Sequence, residues 1–161
     1  MNIMTLTESF KIIRAKTEAI CAPLSIEDYV PQPAEHVSPP KWHLAHTTWF
    51  FETFILKLCE KNYKEYDPLF AYLFNSYYEH EGERTLRSQR GFLSRPTVAE
   101  IMEYRSYVNE QMLEFLESAQ LTPGVTGTVT TSSADGSLTV RLHDMDVNIT
   151  SFASNRILVR A

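Results

Sequence analysis

The stretch Ser38-Pro39-Pro40-Lys41-Trp42-His43-Leu44-Ala45-His46-Thr47-Thr48-Trp49-Phe50-Phe51-Glu52 decides the fold of this chain. Ser38 suits a helix N-cap, and the two prolines suit a first turn, where a missing N–H costs nothing. Beyond them Trp42, His46, Trp49, Thr53 and Leu56 recur at steps of four, three, four and three, so they share one helix face. The helix is expected over about Pro40 to Lys61. An imidazole inside that apolar stripe has lost much of its water and needs a hydrogen-bond partner or a metal. His43 falls off the stripe and reads as a helix-surface group or a support for His46.

Toward the N-terminus, Leu6, Phe10, Ile13, Thr17 and Ile20 predict a first helix from about Leu6 to Cys21 with that stripe inward. Pro23 stops it. The connector up to Pro40 is rich in proline, and Ser25-x-x-Asp28 can start a single turn within it. Past the central helix, residues 62 to 95 lose periodicity. Tyrosines and phenylalanines crowd there, followed by Arg84, Arg87, Arg90 and Arg95. A loop of that length in a compact domain is either functional or hides an element. Pro96 and the capping box Thr97-x-x-Glu100 then open a third helix, with Val98, Ile101, Arg105, Val108, Met112 and Phe115 inward and an end near Ala119. Arg105 on that stripe needs a carboxylate or carbonyl partner, and Glu52 is the candidate.

After Gln120 the composition changes to Thr, Ser, Val and Gly with alternating hydrophobicity. Gly127 to Thr131 and Ser137 to Leu142 flank Asp135-Gly136, a hairpin signal. Residues 1–120 are therefore expected to form a helical domain, and 121–161 a divergent tail that is not an independent domain. The expected fold is mostly α: a helical bundle of three helices, the fourth missing or replaced by an irregular or β-like tail. Three apolar stripes need a fourth surface, so the tail is expected to pack across the gap, or two chains to associate there.

The 161 residues suffice for one domain with a core. Hydrophobic residues make up 43% and charged residues 22%, an ordinary globular balance. A net charge of −5 argues against a nucleic-acid partner, which needs a basic footprint. No apolar run approaches the roughly 20 residues of a membrane helix, and the first ten residues lack a signal peptide's basic and apolar regions. Cys21 and Cys59 show no Cys-x-x-Cys spacing and read as reduced, partly buried thiols of a cytoplasmic protein. Asn148-Ile149-Thr150 fits a glycosylation sequon, but a cytoplasmic chain does not meet that machinery. Trp42, Trp49, Phe50 and Phe51 read as core aromatics.

A second set of blocks follows the central helix in order: Phe74-Asn75-Ser76-Tyr77-Tyr78-Glu79, Gly82-Glu83-Arg84, Arg87-Ser88-Gln89-Arg90-Gly91, Ser94-Arg95-Pro96-Thr97 and Glu103-Tyr104-Arg105. With the Trp42–His46 run, they make residues 5 to 118 resemble the N-terminal DinB-like domain of hercynylcysteine sulfoxide synthases. These are the non-haem iron enzymes of ergothioneine biosynthesis. The resemblance implies an up-and-down bundle and a C–S bond-forming oxidoreductase that joins a cysteine-type thiol to hercynine with dioxygen. It implies Fe(II) held by three histidines, of which His46 is one. It also implies that Arg87 and Arg90 clamp the carboxylates of a small thiol substrate such as γ-glutamylcysteine. A planar guanidinium fork suits that task because it pairs with a carboxylate and stays charged.

In that family the other two imidazoles come from a His-x-x-x-His-x-Glu motif on the fourth helix, and a large further domain completes the active site. No such motif follows Gln120; His143 has no histidine four residues away. The chain is therefore expected to lack the full activity, as a truncated or frame-disrupted product or a short paralogue would. Its catalytic residues stay unassigned. Two other readings remain open: a catalytically silent binding or interaction module, and a DinB-type thiol transferase using another divalent metal. For His46 the alternative to a metal is a core histidine bonded to a neighbouring side chain or carbonyl. For Arg87 and Arg90 it is a solvated basic loop, or pairing with Glu79, Glu81 and Glu83.

Overall fold

The computed structural model describes residues 5–76, 82–119, 128–134, 138–142 and 145–149. The fold is mostly α. Helix α1 (Leu6–Cys21) opens on a capping box in which Thr5 Oγ1 accepts from the Glu8 N–H and the Glu8 carboxylate accepts from the Thr5 N–H. Helix α2 (Pro40–Phe51) runs on through a π-helical stretch, Glu52–Leu56, into the short α3 (Lys57–Cys59). A short α4 (Leu69–Phe74) and a 3-10 segment (Arg87–Phe92) occupy the stretch where periodicity fails, and α5 (Val98–Ser118) closes the helical part.

Helix α2 is the centre, packed on α5, α4 and α1. Trp42, Leu44, Ala45 and Trp49 meet Ile101, Tyr104, Val108, Met112 and Phe115 of α5 and Phe70 and Phe74 of α4 in one buried cluster. The buried α5 stripe is the one its periodicity predicts from Ile101 to Phe115, with Tyr104 added and Val98 only half-buried. Its predicted capping box is formed by Thr97 and Glu100.

Three expectations fail for polar reasons. Ser38 does not cap α2: Pro39 is the cap residue, and the Ser38 hydroxyl instead accepts from Arg90 Nη1 at 2.9 Å. Helix α1 is rotated, so that Ile13 and Ile20 are 61% and 69% exposed while Phe10, Arg14 and Cys21 face inward. The Arg14 guanidinium donates to Asn109 Oδ1 and Thr48 Oγ1, both at 2.7 Å, and those fixed partners on α5 and α2 select the inward face. Arg105 does not pair with Glu52. It donates to Glu18 Oε1 at 2.8 Å and to the Arg14 carbonyl at 3.0 Å. Glu52, buried in the π-helical stretch, accepts from the Tyr63 hydroxyl at 2.8 Å, the Tyr104 hydroxyl at 2.5 Å and the Tyr66 N–H at 2.9 Å.

Beyond α5 the described residues form a three-stranded antiparallel sheet rather than a fourth helix, with strands β1 (Thr128–Ser132), β2 (Leu138–Leu142) and β3 (Met145–Ile149) in that order. The register pairs Thr128 with Arg141 and Ser132 with Leu138, with an irregularity between Val129 and Thr131; Leu138 then pairs with Ile149. The expected turn at Asp135-Gly136 lies outside the described residues. So do Tyr77, Tyr78, Glu79, His80, Glu81, His143 and Thr150. The third strand was not anticipated, and it runs beside α3. Trp42 and Trp49 are buried within the chain, and Cys21 and Cys59 are free thiols. No described helix is long and apolar enough to cross a membrane.

Candidate functional site

The first two turns of α2, the extended residues before it and the Arg87–Phe92 segment enclose a cleft of about 360 Å³. His36, Val37, Ser38, Trp42, His43, His46, Ser76, Arg87 and Arg90 line it. The three residues singled out from the sequence, His46, Arg87 and Arg90, are thus brought together across more than forty positions of chain.

His46 is half-buried between two indoles. Its ring stacks on Trp42 at 4.6 Å and 17°, and on Trp49 at 5.8 Å and 21°. Its Nδ1 lies 2.7 Å from the Phe74 carbonyl. A carbonyl only accepts, so Nδ1 carries the proton and Nε2 keeps its lone pair. Burial pushes the His46 pKa below the ordinary histidine value; the Phe74 bond opposes this and the Arg90 charge adds to it. The ring is neutral at pH 7. His43, on the exposed side of α2, is also held down, by partial desolvation and then by Arg90 and Arg87.

The two arginines are not equivalent. Arg90 is 3% exposed, with its guanidinium 3.5 Å above the Trp42 ring and donating to Ser38 Oγ at 2.9 Å and Ser76 Oγ at 3.3 Å. Arg87 is exposed and donates to the His36 carbonyl over a long 3.4 Å. One guanidinium is built into the wall, and the other stands at the mouth.

The wall is held from behind. Trp42 donates its indole N–H to the Leu73 carbonyl at 3.0 Å. Lys41, 4% exposed, donates to the carbonyls of Leu93 at 2.6 Å and Pro96 at 2.9 Å, fixing the chain just past the arginines. Burial lowers its pKa, and the carbonyl dipoles satisfy the charge that remains. Gln32 bonds both ends of the arginine turn. Sequence reasoning missed His36, Gln32 and the cleft-facing role of Ser38. His36 and Gln32 lie in the proline-rich connector, whose local pattern carries no periodicity to mark a face.

His46 has the arrangement of a metal-ligating imidazole, with Nδ1–H bonded to a carbonyl and Nε2 unprotonated. Yet among the described residues no three His, Cys, Asp or Glu side chains are grouped to hold a metal ion. His36 and His43 line the same cleft without completing such a set. Of the three imidazoles that the sequence resemblance implies, His46 is the one that falls among the described residues.

What the cleft offers is positive charge from two guanidinium groups, with imidazoles and serine hydroxyls beside them, while both faces of the Trp42 indole are covered by His46 and Arg90. These suit a small anionic ligand. The molecule is thus a helical domain with a guanidinium-lined cleft beside its central helix. The chain belongs to the DinB superfamily, whose family model matches residues 9–141. No curated protein matches it.

Proposed function

We propose that this DinB-superfamily domain binds a small carboxylate-bearing thiol in the cleft between α2 and Arg87–Phe92, as the N-terminal domain of a sulfoxide synthase binds its cysteine-type substrate. The observation that carries the proposal is the convergence of Arg87, Arg90 and His46 on one cleft. Arg87 at the mouth recruits the carboxylate, and Arg90, built into the wall on the Trp42 ring, adds its charge behind it. With the iron donors incomplete among the described residues, the proposed activity is binding.

Charge-assisted bonds to a partly buried carboxylate contribute roughly 1.5–3 kcal/mol each. Two of them, less the cost of ordering the ligand, give a dissociation constant on the order of millimolar. Titration of the chain with γ-glutamylcysteine by NMR is expected to show that affinity and its decline as salt rises. Binding that is absent, or equal in Arg87→Ala/Arg90→Ala, removes the proposal.

The carbonyl-oriented His46 ring favours a second reading, in which the chain also takes ferrous iron. Anaerobic titration of wild type and His46→Ala separates the two. Tight one-to-one binding lost in the variant supports iron, with donors such as His80 or His143 drawn from outside the described residues. Weak binding in both leaves the binding module.

A further inference from the structure

We propose that Gln32 is the positioning residue of this cleft: it imposes the 3-10 geometry that brings Arg87 and Arg90 onto one line. The inference rests on the cleft as the ligand site and adds the device that aligns its two guanidinium groups.

Gln32 reaches the arginine segment from more than fifty positions away and makes two short bonds with one amide. Its Nε2 donates to the Arg87 carbonyl at 2.7 Å, and its Oε1 accepts from the Gly91 N–H at 2.6 Å. Those two backbone groups are the acceptor at i and the donor at i+4, the pair that closes a turn of α-helix directly. With the Gln32 amide between them, that α-type bond is replaced. The segment Arg87–Phe92 is a 3-10 helix, and i→i+3 bonds flank it: Gln89 N–H to Leu86 O at 2.9 Å and Leu93 N–H to Arg90 O at 3.4 Å.

The helix type decides where the arginines point. In a 3-10 helix the side chains at i and i+3 eclipse, whereas in an α-helix they diverge by about 60°. Arg87 and Arg90 are i and i+3, and both line the cleft. Gly91 makes the approach possible. A Cβ there would lie 2.6 Å from Gln32 Cβ and 3.1 Å from Gln32 Oε1, so any other residue pushes the amide away. Lys41 fixes the exit of the segment on the Leu93 and Pro96 carbonyls. Gln32 bonds the turn between the two arginines at both of its ends.

The test uses the full ¹⁵N-labelled chain, with γ-glutamylcysteine as probe. Gln32→Met keeps the side-chain length and removes both bonds. It is expected to shift the Gly91 amide and the Nε–H resonances of Arg87 and Arg90, to leave the Trp42 indole N–H in place, and to weaken probe binding about tenfold. Gln32→Glu keeps the acceptor for Gly91 but sets a carboxylate oxygen against the Arg87 carbonyl and adds negative charge beside the cleft. It is expected to shift the same arginine resonances and to bind the probe no better than Gln32→Met; it also serves if Gln32→Met does not fold. Unmoved arginine Nε–H resonances with unchanged affinity overturn the positioning role. If wild type does not bind the probe, the ligand assignment fails by itself, and the arginine resonances of the variants alone decide whether Gln32 sets the turn.

Discussion

Helix α2 has an arginine pair on each side, and the two pairs sit in different surroundings. On one side Arg14 from α1 and Arg105 from α5 meet the Leu44–Thr48 turn. Their guanidinium groups go to Asn109, Thr48, Glu18 and the Arg14 carbonyl. Both are almost fully buried, with Glu18 as the carboxylate in contact, and burial followed by the Arg105 charge pushes the Arg14 pKa down to about 9. On the other side Arg90 is buried on Trp42 but Arg87 stays in solvent at the mouth of a cleft. The residue type is the same. What separates a structural lock from the proposed binding pair is how far burial takes the guanidinium groups out of solvent.

Removing Arg105 is the strongest way to break this comparison. Arg105→Met is expected to destabilise the fold by about 3 kcal/mol in urea denaturation, the low end for breaking a buried pair because Glu18 can rehydrate. A cost under about 1 kcal/mol would mean that the two pairs do not differ in kind. Arg90→Ala comes next. It loses two hydroxyl bonds and the Trp42 stack, for about 2 kcal/mol of stability together with weaker ligand binding. Arg87→Ala is expected to weaken γ-glutamylcysteine binding while stability stays within about 0.5 kcal/mol of wild type. Equal stability losses for Arg87→Ala and Arg90→Ala would erase the distinction between mouth and wall.

The smallest expected effect is a pH dependence that only the cleft side should show. The folded-state pKa of His46 lies below its unfolded value near 6.5, so the unfolded chain binds more protons between the two. Stability is therefore fully present above about pH 6.5 and falls as pH drops through that value toward the folded pKa. Anion binding should move the opposite way, since protonated His46 and His43 add positive charge to the cleft. Thermal melts of wild type and His46→Phe from pH 7.5 to 5.5 check the first sign; a slope unchanged in the variant assigns it to another group. Ligand titration over the same range checks the second.

Much of the helical frame was legible locally. Periodicity marked α2 and the inward face of α5. Thr97-x-x-Glu100 fixed where α5 starts, and Ser25-x-x-Asp28 marked the 3-10 turn at Ile26–Tyr29. Alternation flagged β1 and β2. The errors fell where a buried polar side chain overrode an apolar pattern. Leu6, Ile13 and Ile20 were a plausible inward stripe, but Arg14 had fixed partners on α2 and α5 and turned the helix.

The sequence by itself determined a mostly α chain, its central aromatic helix with His46 on the inner stripe, and an arginine-rich segment at Arg87 and Arg90. Those features are written in spacing and capping, which act over a few residues. Only the tertiary structure decided that the three residues share a cleft, that Glu18 and not Glu52 meets Arg105, and that Gln32 holds the arginine turn. These contacts join positions from about thirty to ninety residues apart, where hydrogen-bond reach and burial choose the partner and no local period records it.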